Sequence, residues 1–221
     1  MRELIDTARI PGGDELRLYR RGDDFIIAIG GNELMNSRMS GSEEALAVMS
    51  CERLRDPDTA RLLIGGYGMG FTLRAALAAL GPDARVTVAE LVPAIIDWAR
   101  GPMAGLAAGC LDDPRVELAV GDVAAAIAEG PGRYDAILLD VDNGPDGLVR
   151  QANDGIYSPA GLAAAKAALR PGGILAIWSA APDARFTRRL ATSGFRVDEV
   201  GVRARANGKG ARHVIWFAQK G

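Results

Sequence analysis

The chain is predicted to be an α/β protein: a mostly parallel sheet with helices on both faces, a C-terminal antiparallel hairpin and a small N-terminal β extension. Three observations carry this expectation. From residue 60 onward, apolar runs of strand length alternate with alanine-rich segments of helical length, the pattern of a parallel sheet buried on both faces. The rhythm then changes to FRVDEVGVRAR, a glycine-rich NGKGA turn and RHVIWFAQ, which reads as a hairpin. Ahead of residue 60, ELRLYRRG and DFIIAIGG read as two short alternating strands.

Taken in order, residues 1–55 hold those two strands and a linking helix from about Glu43 to Leu54, with Ser40 and Ser42 as candidate caps. Residues 56–221 form the main domain. Its strands are expected at ARLLIGG (60–66), RVTVAEL (85–91), RVELAVGD (115–122), YDAILLDV (134–141) and GILAIWSA (173–180). Helices between them should start near Gly70, Pro93, Val123, Ser158 and Pro182. Proline suits a first helical turn, where its fixed φ fits and its missing N–H costs nothing. The outline is that of a Rossmann-like class I methyltransferase fold.

Composition narrows the function. Of 221 residues, 26 are basic and 28 acidic, a net charge of −2. That offers no electrostatic footprint for nucleic acid or an anionic membrane surface. Cys51 and Cys110 stand apart, with no CxxC and a single histidine, so no disulfide framework or metal site is indicated. The N-terminus has no apolar core of signal-peptide length, and no stretch is long and apolar enough to span a bilayer. A cytoplasmic location is expected. No internal repeat is visible, and the basic stretch RARANGKGAR (203–212) reads as a solvated hairpin tip.

The loop after the first strand of the main domain is Gly65-Gly66-Tyr67-Gly68-Met69-Gly70. In an open α/β sheet, ligands sit at the carboxyl ends of the strands, where strand order reverses. Glycines there let the backbone approach a ligand, and the following helix start presents N–H groups to an anion. Glu90 ends the second strand about twenty residues on, where an acid can accept hydrogen bonds from both hydroxyls of a ribose. Asp122, in Gly121-Asp122-Val123, is placed to meet an adenine amino group, while Asp140 and Asp142 close the fourth strand. Each acid also has a plain structural reading: Glu90 as a helix-start acid, Asp122 as a helix cap, Asp142 as a turn residue before Asn143-Gly144-Pro145. Asp140 follows four apolar residues, and a buried carboxylate without a purpose is costly.

A dinucleotide fingerprint is disfavoured, because GYGMGF puts Phe71 where the last glycine of GxGxxG should stand. GxGxG followed by an acid after the next strand is the pattern of S-adenosylmethionine sites. The cofactor contacts are therefore expected from Gly65, Gly66, Tyr67, Gly68, Gly70, Glu90, Leu91, Gly121, Asp122, Val123 and Asp140.

Together the β extension, LLIGGYGMGFTLRAAL, VTVAELVPAIIDWA, DDPRVELAVGD, YDAILLDVDNGP, IYSPAGL and RPGGILA resemble the spermidine synthase-like proteins. The resemblance implies an adenosyl sulfonium ligand, with Glu90 on the ribose, Asp122 on the adenine and Asp140 as base for an attacking amine. It also implies a homodimer.

The departures matter as much. Aminopropyltransferases of that family carry GGGDGG, whose aspartate binds the aminopropyl ammonium, and here Gly68 stands at that place. Their polyamine-binding glutamine and DExxY segment are replaced by Leu34 and by Met39, Ser40 and Glu43. The expectation is an S-adenosylmethionine-dependent methyltransferase acting on a small molecule, less charged than a polyamine. Asp140 or Asp142 would be its base, and Leu34, Met39, Glu43, Tyr67, Met69 and Trp178 would line its acceptor pocket. Aminopropyl transfer from decarboxylated S-adenosylmethionine is the alternative, and a non-catalytic nucleoside-binding module the third reading. His213 is expected to be a structural strand histidine, Trp98 a buried helix face, and the two cysteines small hydrophobes.

Overall fold

The computed structural model describes residues 1–11, 13–141 and 154–221. A four-stranded antiparallel sheet comes first, formed in order by β1 (Glu3–Arg9), β2 (Glu15–Arg21), β3 (Asp24–Ile29) and β4 (Asn32–Asn36). The two sequence-visible strands are β2 and β3. β1 and β4 escape pattern reading because ELIDTAR and NELMN bury no alternating apolar face; only Asn36 in them is fully buried.

Helix α1 (Gly41–Cys51) then leads to the main sheet. It starts two residues earlier than expected. Ser40 holds the N-cap position but its side chain caps nothing, and the Ser42 hydroxyl is used elsewhere. The helix start is pinned instead by its close approach to the C-terminal hairpin: Gly41 N donates to Ala204 O, and a Cβ at Gly41 would lie 2.3 Å from Arg205 backbone.

The main sheet contains β5 (Arg61–Gly65), β6 (Arg85–Glu90), β7 (Val116–Val120), β8 (Tyr134–Leu139), β9 (Leu169–Ser179), β10 (Phe195–Arg203) and β11 (Arg212–Lys220). Their order is β10-β11-β9-β8-β5-β6-β7, with β5 through β9 parallel and β11 antiparallel to both β9 and β10. Strand order therefore reverses between β5 and β8, where a ligand crevice is expected. β9 begins earlier than the sequence suggests: Leu169 pairs with Tyr134 and Ile174 with Ala136, so the intervening RPGG bulges out of the ladder.

The described helices of the main domain are α2 (Phe71–Ala79), α3 (Pro93–Arg100), α4 (Ala104–Ala107), α5 (Val123–Ala128), α6 (Asp154–Tyr157), α7 (Pro159–Ala168) and α8 (Ala184–Thr192). Pro93 and Pro159 open their helices. Pro182 does not. It precedes Asp183, whose carboxylate accepts from Arg185 N and starts α8 two residues later.

Strand alternation sorts the core. Leu62, Ile64, Val86, Val88, Ala136, Leu138, Ile215 and Phe217 face one side of the sheet, packed with α1 to α3 and with Leu16, Leu18 and Ile27 of the N-terminal sheet. Leu63, Ile137, Leu139, Leu175, Ile177 and Trp216 face the other, under α5, α7 and α8. Trp98 is buried on α3, and its Nε1 donates to Asp6 of β1 at 2.7 Å. This bond ties the N-terminal sheet to the main one.

Candidate functional site

The β5–α2 turn is held from both sides. Gly66 N donates to Ala89 O and Asp140 N to Gly65 O, and Gly66, Gly68 and Gly70 have φ of 86°, 57° and 82°. A Cβ on Gly66 would stand 2.5 Å from the carbonyl oxygen of Asp140. Glycine is therefore required at Gly66 by contact as well as by conformation. α2 starts without a side-chain cap, which leaves its first N–H groups facing the turn.

Glu90 organises this turn. Buried at the end of β6, it accepts from Tyr67 N and from Val92 N, both at 2.8 Å. Burial raises its pKa and the backbone donors oppose that rise. Asp122 at the end of β7 accepts from Ala124 N at 2.9 Å, so it is the N-cap of α5. Glu90 and Asp122 nevertheless line the same cavity, of about 130 Å³, with Gly66, Gly68, Leu91, Gly121, Val123 and Asp140. Ile10, Leu16, Ile27, Leu34 and Met35 close it from the N-terminal sheet. These wall residues carry no motif, and only the packing of one sheet against the other brings them here.

A second cavity of about 80 Å³ adjoins the first and shares Leu34, Met35, Gly68 and Asp140 with it. Its remaining lining is Glu43, Tyr67, Met69, Phe71 and Trp178. Of the expected acceptor-pocket residues, Leu34, Glu43, Tyr67, Met69 and Trp178 meet here. Met39 is not among the lining residues, since the chain turns away after β4 with Met39 N bonded to Asn36 O. Asp142 lies outside the described residues. Met35 and Phe71 join the wall without a sequence signal. No lysine or arginine among the described residues lines either cavity.

Asp140 stands between the two cavities. Thr72 Oγ1 donates to its Oδ2 at 2.7 Å and lies 3.4 Å from the Glu43 carbonyl oxygen. Burial pushes the Asp140 carboxyl up to about 6, opposed by the Thr72 hydroxyl. Glu43 rises further, to about 8, through burial first and the Asp140 charge second. Two acids lining one poorly solvated cavity resist carrying two negative charges at once.

Ser42 Oγ donates to Glu43 Oε2 at 3.0 Å and lies 3.0 Å from His213 Nδ1. His213 also packs edge-on to Trp178, with centroids 4.8 Å apart. His213 stands on β11, as expected, and is also joined through Ser42 to Glu43 in the lining of the second cavity.

The donor set suits an adenosyl sulfonium ligand. Its acids, with no basic side chain beside them among the described residues, favour a cation, and the glycine turn leaves room that a Cβ would fill. No family model matches the chain. Over 172 residues it is 32% identical to a polyamine aminopropyltransferase of Mycobacterium tuberculosis, covering 76% of this chain and 31% of that protein. Over 120 residues it is 38% identical to putrescine N-methyltransferase 4 of Nicotiana tabacum, covering 54% of this chain and 29% of that one. The chain thus spans about a third of the length of these curated relatives. Against the crystal structure of spermidine synthase from Thermotoga maritima the TM-score is 0.79 at 19% identity, covering 99% of this chain and 73% of that one.

The fold is that of spermidine synthase, a mostly parallel seven-stranded sheet preceded by a four-stranded antiparallel one. In sequence the chain is related to polyamine aminopropyltransferases and putrescine N-methyltransferases. No helix among the described residues is long and apolar enough to cross a membrane.

Proposed function

We propose that the chain is an S-adenosylmethionine-dependent methyltransferase acting on the nitrogen of a small amine. The observation that carries this reading is the contact at Gly68. A Cβ there would lie 3.4 Å from the Met35 thioether, so the place of the aminopropyl-binding aspartate in the aminopropyltransferases is bare of carboxylate and covered by an apolar side chain. A methyl group needs no counter-charge and little space.

In this reading Glu90 accepts from the ribose hydroxyls, Asp122 from the adenine amino group, and the glycine turn with the start of α2 meets the amino-acid end. When bound, S-adenosylmethionine supplies an electrophilic methyl carbon on a sulfonium, displaced in line. The protein contributes orientation, which in well-aligned systems is worth up to roughly 7–11 kcal/mol. Asp140, between the cavities, orients the acceptor nitrogen and takes its proton, while Glu43 supplies a second acidic partner for an amine and Leu34, Met35, Tyr67, Met69 and Trp178 exclude water.

A second reading, aminopropyl transfer, draws on the absence of any basic side chain around either cavity among the described residues. Decarboxylated S-adenosylmethionine has no carboxylate to satisfy. Incubation with each donor and a panel of amines, putrescine included, separates the two by product mass. A methylated amine is expected, and an aminopropylated product made in preference overturns the leading reading.

A further inference from the structure

We propose that Ser42 and His213 form a proton exit from the acceptor cavity, with Glu43 as its inner end. The inference deepens the amine-transfer reading of that site and rests on it.

The chain of groups is continuous. Glu43 lines the cavity beside Asp140. Ser42, fully buried, bridges Glu43 Oε2 and His213 Nδ1 with 3.0 Å contacts on each side. His213 is half-buried on β11, and its Nε2 makes no hydrogen bond to protein among the described residues. One end of the chain therefore lines the cavity and the other is a partly exposed imidazole. A serine hydroxyl both donates and accepts, and either imidazole nitrogen can do so. The bridge thus works in both proton states of Glu43.

The step balances as follows. An N–H bond of the acceptor ammonium breaks, its electron pair stays on nitrogen, and a carboxyl O–H forms on Asp140 or Glu43. A proton taken by Asp140 passes to Glu43. Protonated Glu43 then donates to Ser42 Oγ as the Ser42 proton moves to the bare Nδ1 of the Nε2–H tautomer of His213. The imidazolium releases its Nε2 proton to water, and a ring flip with proton exchange in water restores the Nε2–H tautomer for the next cycle. Ser42 ends with the proton count it began with, and the carboxylate pair is reset. Without an exit, the proton stays on a pair that repels a second negative charge and holds it tightly.

The groups facing this chain are few. Glu43 faces Asp140 from the end of β8 and its neighbour Glu44, itself paired with Arg74 of α2 at 2.9 Å. His213 faces Ser42 of α1 and the Trp178 ring of β9, and burial lowers its pKa. It is therefore neutral between turnovers at physiological pH, as a relay needs.

The test uses Ser42→Ala, His213→Ala and the double variant. With methyl transfer to an amine established for the unmodified protein, each single variant is expected to lower kcat about tenfold, a fraction of the effect of a direct base. Acceptor KM stays within about twofold, the double variant is no worse than the singles, and added imidazole restores His213→Ala. Additive losses without imidazole rescue, or unchanged kcat, overturn the proposal. A second measurement needs no turnover. His213 is the only histidine in the chain, so its ring nitrogens can be followed by NMR without assignment. Ser42→Ala and Glu43→Gln should each change its tautomer balance and pKa. A histidine titration indifferent to both overturns the relay even if no amine substrate is found, whereas absent turnover with this coupling intact counts against the amine-transfer reading alone.

Discussion

Thr72 Oγ1 donates a 2.7 Å hydrogen bond to Oδ2 of Asp140, joining the first turn of α2 to the end of β8 across the point where strand order reverses. The bond stabilises the ionised carboxylate against a cavity that favours the neutral form. Thr72→Val keeps the shape and removes the donor. A hydrogen bond to a charged group contributes about 1.5–3 kcal/mol, so the Asp140 pKa should rise by about one unit or more. The acid limb of the pH–rate profile is expected to move alkaline by that amount, with turnover recovering at high pH. An unmoved limb would remove Asp140 from the role of base.

Stability should record the acidic pair as well. Folded Glu43 and Asp140 titrate at about 8 and about 6, against roughly 4.3 and 3.9 in an unfolded chain. Between those limits the folded protein binds more protons than the unfolded one. The stability they allow is fully present below about pH 4 and is lost as pH rises through the folded values. Glu43→Gln removes the larger part, so it should be more stable than the parent at pH 8.5 by about 1–3 kcal/mol and indistinguishable at pH 4. Denaturant midpoints at the two pH values check this.

Gly66→Ala tests whether the turn tolerates any side chain. The new Cβ meets the Asp140 carbonyl at 2.5 Å in a backbone with φ of 86°. Neither partner can swing aside, because Gly66 N and Asp140 N are both committed to strand-end hydrogen bonds. A loss of about 3 kcal/mol or more is expected, combining left-handed strain and overpacking. Thermal unfolding measures it, and a parental midpoint would show that the turn is looser than its geometry.

Gly68→Asp probes the identity of the transferred group. The site is open enough, since the Cβ would meet only Met35, and aspartate accepts left-handed φ at a cost of roughly 1–2 kcal/mol. Restoring this carboxylate should raise affinity for decarboxylated S-adenosylmethionine relative to S-adenosylmethionine by about tenfold, or 1.4 kcal/mol. Thermal shift with each donor reads the ratio. If the ratio does not change, Gly68 does not discriminate between donors.

The alternation of buried strands and alanine-rich helices, the glycine turn and the acids at strand ends were legible as sequence because each is a local pattern. Period-two burial, glycine at positive φ and an acid after a strand are written within a few residues of one another. That was enough to assign β5 through β11 and to gather Gly66, Gly68, Glu90, Asp122 and Asp140 at one edge. It was not enough for β1 and β4, whose residues bury too little apolar surface to show a period, whereas the cap that Asp122 makes to Ala124 is among the readings its position offered. Nor could it show that Ile10, Leu16 and Ile27 roof the cavity over the glycine turn, or that Met35 covers Gly68. Thr72 reaching Asp140 and Ser42 reaching His213, 171 residues away, depend on how α1, α2 and the C-terminal hairpin pack. Chain separation carries no information about such contacts. Local sequence determined which residues gather at this strand-end edge, and tertiary packing alone decided which side chains bury and bridge its carboxylates.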